Sequence, residues 1–143
     1  METNFNFKSQ IATDINQSER LLALGLKKET ADMYYEGILG GELPKIMPHT
    51  SEMDYFQLWY SIIPAWSLHR LIEMMPMSIV EDKRYHEWWN LNVTPIAVIY
   101  RNQDDTNNWI GECMGRGLYN NLIDCIEWLI KEGYFNKVYL CQE

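Results

Sequence analysis

The sequence predicts a single α+β domain: a small antiparallel β-meander of three or more strands with two to three amphipathic helices packed on it. Three observations carry that reading. Segments Tyr85 to Val93, Pro95 to Arg101 and Asn108 to Gly115 follow one another with strand patterning, joined by NVTP and NQDDTNN, which have turn composition. PAWSLHRLIEMMP and LYNNLIDCIEWLIKEGYF repeat apolar residues at helical spacing. The 143 residues fit one domain, and a chain of that size buries roughly two thirds of its unfolded surface, so it needs no metal or disulfide to fold.

Taken in chain order, NQSERLLALGLKKE is the first helix, with Ser18 placed to cap it and Gly25 to close it in a left-handed conformation. ADMYYE (Ala31 to Glu36) reads as a brief extended segment. Gly37, Gly40, Gly41, Pro44 and Pro48 then break both periodicities, so residues 37–54 form a long loop, of the kind that tends to carry function. YFQLWYSII has the ring and β-branched content of a strand ended by Pro64. In the helix that follows, Leu68, Leu71, Ile72 and Met75 share one side, His69, Arg70 and Glu73 the other, and Pro76 stops it.

Of the three meander strands, the middle one is apolar on both faces: Ile96, Val98 and Tyr100 point one way, Ala97 and Ile99 the other. Both faces of the sheet are therefore expected to be covered, one helix to each. The last helix buries Leu118, Leu122, Ile126 and Leu129 and turns Asn121, Asp124, Glu127, Trp128 and Lys131 outward. Gly133 ends it, and KVYLCQ is expected to add an edge strand.

Composition narrows the function classes. A net charge of −8 and scattered Lys and Arg disfavour nucleic-acid binding, which draws on clustered cations. The longest uncharged run, Tyr55 to His69, is too short to span a membrane and contains Pro64. The first ten residues lack a signal peptide's basic start and apolar run. Three widely spaced cysteines make no disulfide framework, so the expected setting is cytoplasmic with no disulfide partner.

Six tryptophans and nine tyrosines point to large rings in a core or an interface. In YHEWWNLNV, Trp89, Leu91 and Val93 share one face while Trp88 joins His86, Asn90 and Asn92 on the other. Trp88 either supports a second layer or edges a binding surface. Trp128 is either a self-association contact or a ring covered by the long loop or the tail. Tyr55, Phe56, Trp59 and Tyr60 complete the candidate interaction surface.

No catalytic, cofactor-binding or metal-binding constellation is visible. His69 and Glu73 stand one helical turn apart, the spacing of a shared ligand but equally of any solvated helix face. His86 and Glu87 lack the second histidine of a zinc-protease helix. Cys113, in GECMGRG near Arg116, has no base assigned to it by the sequence and reads first as a small residue packed at a strand end. His69, Glu73, His86 and Cys113 are the polar site left for an enzyme.

The order SERLLALGLKKETADMYYE, PAWSLHRLIEMMP, strand meander, NNLIDCIEWLIKEGYF resembles a group of small uncharacterised proteins of gut Bacteroidetes and related bacteria, often associated with phage or mobile elements. TADM and PAWSL together are the specific part of that resemblance, which covers most of the chain except Gly37 to Asp54. It implies a bacterial cytoplasmic setting and brings no activity, cofactor or catalytic residue. The sequence thus favours a non-enzymatic cytoplasmic interaction or accessory protein of phage origin, acting through a protein partner or by self-association. An enzyme or small-molecule-binding protein is the alternative.

Overall fold

The computed structural model describes residues 9–36, 43–47, 62–83 and 85–141, without the side chains of 81–83 and 85–86. Among them the fold is α+β, with three helices and two antiparallel sheets. Helix α1 (Ile15–Ala23) starts before Ser18, because Asp14 is its cap. The Asp14 carboxylate accepts from Gln17 N at 2.7 Å while Gln17 Oε1 accepts from Asp14 N at 3.0 Å, closing a capping box. Ser18 is buried instead, its hydroxyl 2.8 Å from Thr13 Oγ1.

A 3₁₀ turn (Lys28–Thr30) leads into strand β1 (Met33–Glu36), which is flanked by β2 (Lys45–Ile46) and β3 (Ile62–Ala65). Strand β2 falls inside the stretch expected to be all loop, whereas 37–42 and 48–54 lie outside the described residues. Pro64 does not end β3 but sits within it opposite Tyr34. That strand is at the sheet's edge, where a missing N–H costs no ladder bond. Helix α2 (Leu68–Met74) follows, with Ser67 Oγ accepting from Arg70 N at 3.1 Å as its cap.

TADM and PAWSL meet in space. Trp66 Nε1 donates to Thr30 Oγ1 at 2.9 Å, and Thr30 Oγ1 donates to Lys27 O at 2.6 Å. The Asp32 carboxylate accepts from Ser67 N at 2.8 Å and from Ser67 Oγ. Met33 pairs with Ala65 across the sheet, and Arg70 Nε donates to Thr30 O at 2.7 Å. Trp66 and Thr30 are buried, so the bond between them satisfies polar groups that would otherwise be stranded in the core; the bonds of Asp32, Ser67 and Arg70 are part-buried.

The second sheet is a four-stranded meander in chain order: β4 (Ser78–Lys83), β5 (Tyr85–Val93), β6 (Ala97–Asn102) and β7 (Trp109–Met114). Its inner face buries Ile79, Trp89, Val98 and Tyr100, with Leu91, Val93, Ile110 and Cys113 packed beside them. Helix α3 (Leu118–Glu132) packs on that face through Leu122, Ile123, Cys125, Ile126 and Leu129. Leu21, Leu26, Leu71 and Met74 fill the same core from the α1 and α2 side, so one hydrophobic cluster joins all three helices to the meander. Arg20 adds a polar tie from α1 to α3, pairing with Asp124 and Glu127 at 2.7 Å each.

Two expectations about the end of the chain change. Asn121 is not outward but fully buried; its Oδ1 accepts from Arg116 N at 3.2 Å and its Nδ2 donates to Ile96 O at 3.4 Å. The amide thus ties the start of α3 to the β5–β6 turn, which no helical wheel shows. The tail forms a 3₁₀ turn (Lys137–Tyr139) and a single bridge from Leu140 to Leu26 rather than an edge strand. Gly133 closes α3 in the left-handed conformation, as its position predicts.

Candidate functional site

Alternation along β5 and β6 sorts the meander into two unlike faces. Register puts Trp89 opposite Asn102, Leu91 opposite Tyr100 and Val93 opposite Val98 on the covered side. The other side therefore holds Trp88 with its partner Val80, Asn90 with Arg101, Asn92 with Ile99, and Arg101 with Trp109. None of these outer residues belongs to the hydrophobic core cluster. The described helices lie on one side of the sheet, not one on each as the apolar central strand suggests.

The outer face is unusually apolar for an exposed one. Trp88 is 47% exposed, Trp109 41%, Val80 39% and Met114 53%; Ile96, expected to point with Val98 and Tyr100, lies instead in the turn before β6, exposed beside the same face. Arg101 lies over the Trp109 ring, its Cζ 5.7 Å from the centroid, and Nη1 donates to Thr106 O at 2.8 Å. Trp109 Nε1 donates to Glu112 Oε2 at 3.1 Å, so the indole is fixed from both sides. A shallow depression of about 250 Å³ lies along this face, lined by Asn92, Ile96, Ile99, Arg101, Trp109 and Met114 among others. An anchored tryptophan beside an arginine has lost much of its conformational freedom already, which lowers the entropic cost of binding.

Trp128 is placed otherwise. It is half-buried, with ring centroids 6.1 Å from Tyr100 and 5.8 Å from Tyr134. Gly111 makes room for it: a Cβ there would lie 2.8 Å from Cε3 and Cζ3 of the indole. Gly111 also has φ +64°, a conformation that other residues adopt at a cost. Tyr100 is buried beneath, its hydroxyl donating to Pro76 O at 2.8 Å, and burial pushes its phenol well above the ordinary tyrosine range.

The four residues of the polar alternative are not shown as a cluster. His69 and Glu73 lie on α2, 3.6 Å apart, with the histidine side chain 89% exposed. Cys113 is half-buried on the inner face of β7, packed against the core cluster that contains buried Cys125. The neighbouring thiol lowers the pKa of Cys113; that of Cys125 is raised by Cys113 and by burial. His86 falls in β5, but its side chain lies outside the described set. So do the ring residues Tyr55, Phe56, Trp59 and Tyr60.

Among the described residues no group of three or more His, Cys, Asp or Glu could hold a metal ion, and no helix is long and apolar enough to cross a membrane. Cys113, Cys125 and Cys141 are free thiols. Sequence reasoning found Trp88 but missed Trp109, Arg101 and Met114. Strict alternation puts Trp109 and Met114, five residues apart, on opposite faces; the register shift opposite Val98–Tyr100 brings both to the outer one, and no sequence signal shows that shift. No family model, curated protein or solved structure matches the chain.

Proposed function

We propose that this protein is a non-enzymatic interaction or accessory protein that binds a second protein, basic in character, through the outer face of β4 to β7. The observation that carries the reading is the exposure of Trp88 and Trp109 on one sheet face with Val80, Ile96 and Met114 around them. Isolated exposed rings need no explanation, but several large apolar side chains exposed on one sheet face do. Tryptophan and arginine are the side chains that most often carry binding energy at protein interfaces.

Charge selects among partners. The chain carries −8, which favours a basic partner through steering and rim complementarity and sets a second copy of the chain against itself. Nucleic acid is opposed for the same reason, although exposed rings on a sheet could stack bases. The resemblance to phage-associated and mobile-element-associated proteins makes a host or phage protein in a bacterial cytoplasm the natural partner.

The test uses tagged protein to capture partners from host lysate, with and without phage infection. The captured protein is then purified and bound again by wild type and by a Trp88→Ser, Trp109→Ser variant. Both side chains are part-exposed, and circular dichroism checks that the variant is folded. Binding by wild type and loss in the variant supports the reading; equal binding by both removes the outer face from it. A nucleic acid in place of a protein overturns the assignment of partner.

A further inference from the structure

We propose that the free edge of β4 takes one extended strand of the basic partner, which pairs backbone to backbone with Ser78 and Val80. The inference rests on the reading of the outer face as a binding surface and adds how the partner's chain is held. Leu91 N donates to Met77 O at 2.8 Å, and Gln103 N donates to Trp88 O at 2.9 Å. Bonding residues alternate along an antiparallel ladder, so Met77 and Ile79 turn their N–H and C=O groups to β5. Those of Ser78 and Val80, opposite Asn90 and Trp88, point the other way, out of the sheet's edge. Among the described residues no partner holds them there. The three other edge strands each carry a feature that discourages pairing. Strand β2 has two residues, β3 contains Pro64, which has no N–H, and β7 breaks register between Val98 and Tyr100, with Gly111 at φ +64°. Strand β4 matches β5 residue for residue from Ser78 to Lys83 with no shift. A regular, unpaired edge is the template that strand addition requires.

Side chains choose among strands. A residue placed opposite Val80 shares the outer face with Val80 and Trp88, both exposed, so an apolar one fits there. Glu81 and Asp82 continue the strand and the chain carries −8. Lysine or arginine at the flanking positions is therefore favoured, and a second copy of this acidic edge is not. The occupant is an extended basic segment with β-branched or aromatic residues at alternate positions.

The experiment titrates the full chain with a synthetic peptide of alternating lysine and valine and follows amide hydrogen exchange by NMR. With the peptide at saturation, the Ser78 and Val80 amides are expected to exchange more slowly by about tenfold or more. The counterpart of alternating glutamate and valine is expected to leave them unchanged. Val80→Pro removes the outward N–H and leaves the β4–β5 ladder its bonds, so it is expected to weaken peptide binding about tenfold or more. Val80→Thr keeps the N–H and the branched side chain and is expected to stay within about threefold of wild type. Unchanged exchange at Ser78 and Val80 overturns the proposal, even where Val80→Pro fails to fold. So does equal binding by Val80→Pro, equal protection by the acidic peptide, or protection that rises with protein concentration alone. The outer-face reading fails separately, on Trp88→Ser, Trp109→Ser, whose substitutions leave the edge amides in place.

Discussion

Gly111 and Trp128 show how a single position can redirect a whole side chain. On its own helix Trp128 stands among charges, yet the ring is half-buried because Gly111 leaves a gap in β7 opposite it. Gly111→Ala strains a positive φ and places a methyl 2.8 Å from an indole that Tyr100 and Tyr134 already flank. The expected cost is about 2–4 kcal/mol in urea denaturation, and a change under about 0.5 kcal/mol would show that the indole simply moves away. Thr30→Val tests the motif contact in the same way. It strands the buried Trp66 indole N–H and is expected to cost about 1–3 kcal/mol, with little change in volume. TADM and PAWSL were legible as paired strings but not as partners, because hydrogen bonds between residues 35 positions apart leave no periodicity in the sequence. The outer face was half legible for a related reason. Trp88 shows its face within YHEWWNLNV, whereas Trp109 acquires one only from its register with Arg101.

At the scale of elements, what could be read is what repeats locally. Helix α3 and strand β5 came out where their patterns put them, since each keeps one period over many residues. Of the first sheet, β1 came out inside ADMYYE, but β2 and the pairing did not, because its strands have two and four residues and come from distant segments. Strand β4 was missed as well: SIVEDK has its apolar residues at one end and charges at the other, so alternation covers too little of it. Helix α2 has seven residues, too few to persist without its cap and its packing. Ser67→Ala removes that cap and a partner of Asp32 together, and is expected to cost about 1–2 kcal/mol by thermal or chemical denaturation. Loss of nothing measurable would mean that Leu71 and Met74 hold the helix unaided. The tie between α1 and α3 is weaker. A double-mutant cycle on Arg20 and Asp124 is expected to return about 0.2–1 kcal/mol, and less in strong salt, since both side chains keep access to water.

For the molecule as a whole, one core among the described residues holds the helices to one side of the meander, and the other side buries Ile99 but leaves Trp88, Trp109 and Met114 exposed. That core contains two tyrosines, Tyr100 foremost and Tyr119, and Tyr35 packs on the smaller cluster of Ala12, Met33 and Ala65; burial holds all three phenols above their ordinary value of 10.0. Below that value they are neutral in both the folded and the unfolded chain, and nothing changes with pH. Above it the unfolded chain ionises first, so stability is lost as pH climbs toward the folded-state values. Denaturation midpoints are therefore expected to start falling at about pH 10 and to go on falling as pH rises, with a shallower fall in Tyr100→Phe, whose unfolded state lacks one of these groups. An equal slope in both proteins would remove Tyr100 as a source. The acidic charge and the exposed rings belong to this scale too, because a partner reads the surface as a unit. The most direct test of the account is the dissociation constant of the purified complex for wild type against Trp88→Ser, Trp109→Ser, with both shown folded. A loss of about a hundredfold or more is expected, the cost of two buried aromatic anchors. Affinity unchanged within about twofold, well inside the error of one weak contact, would contradict the assignment of the outer sheet face as the binding surface.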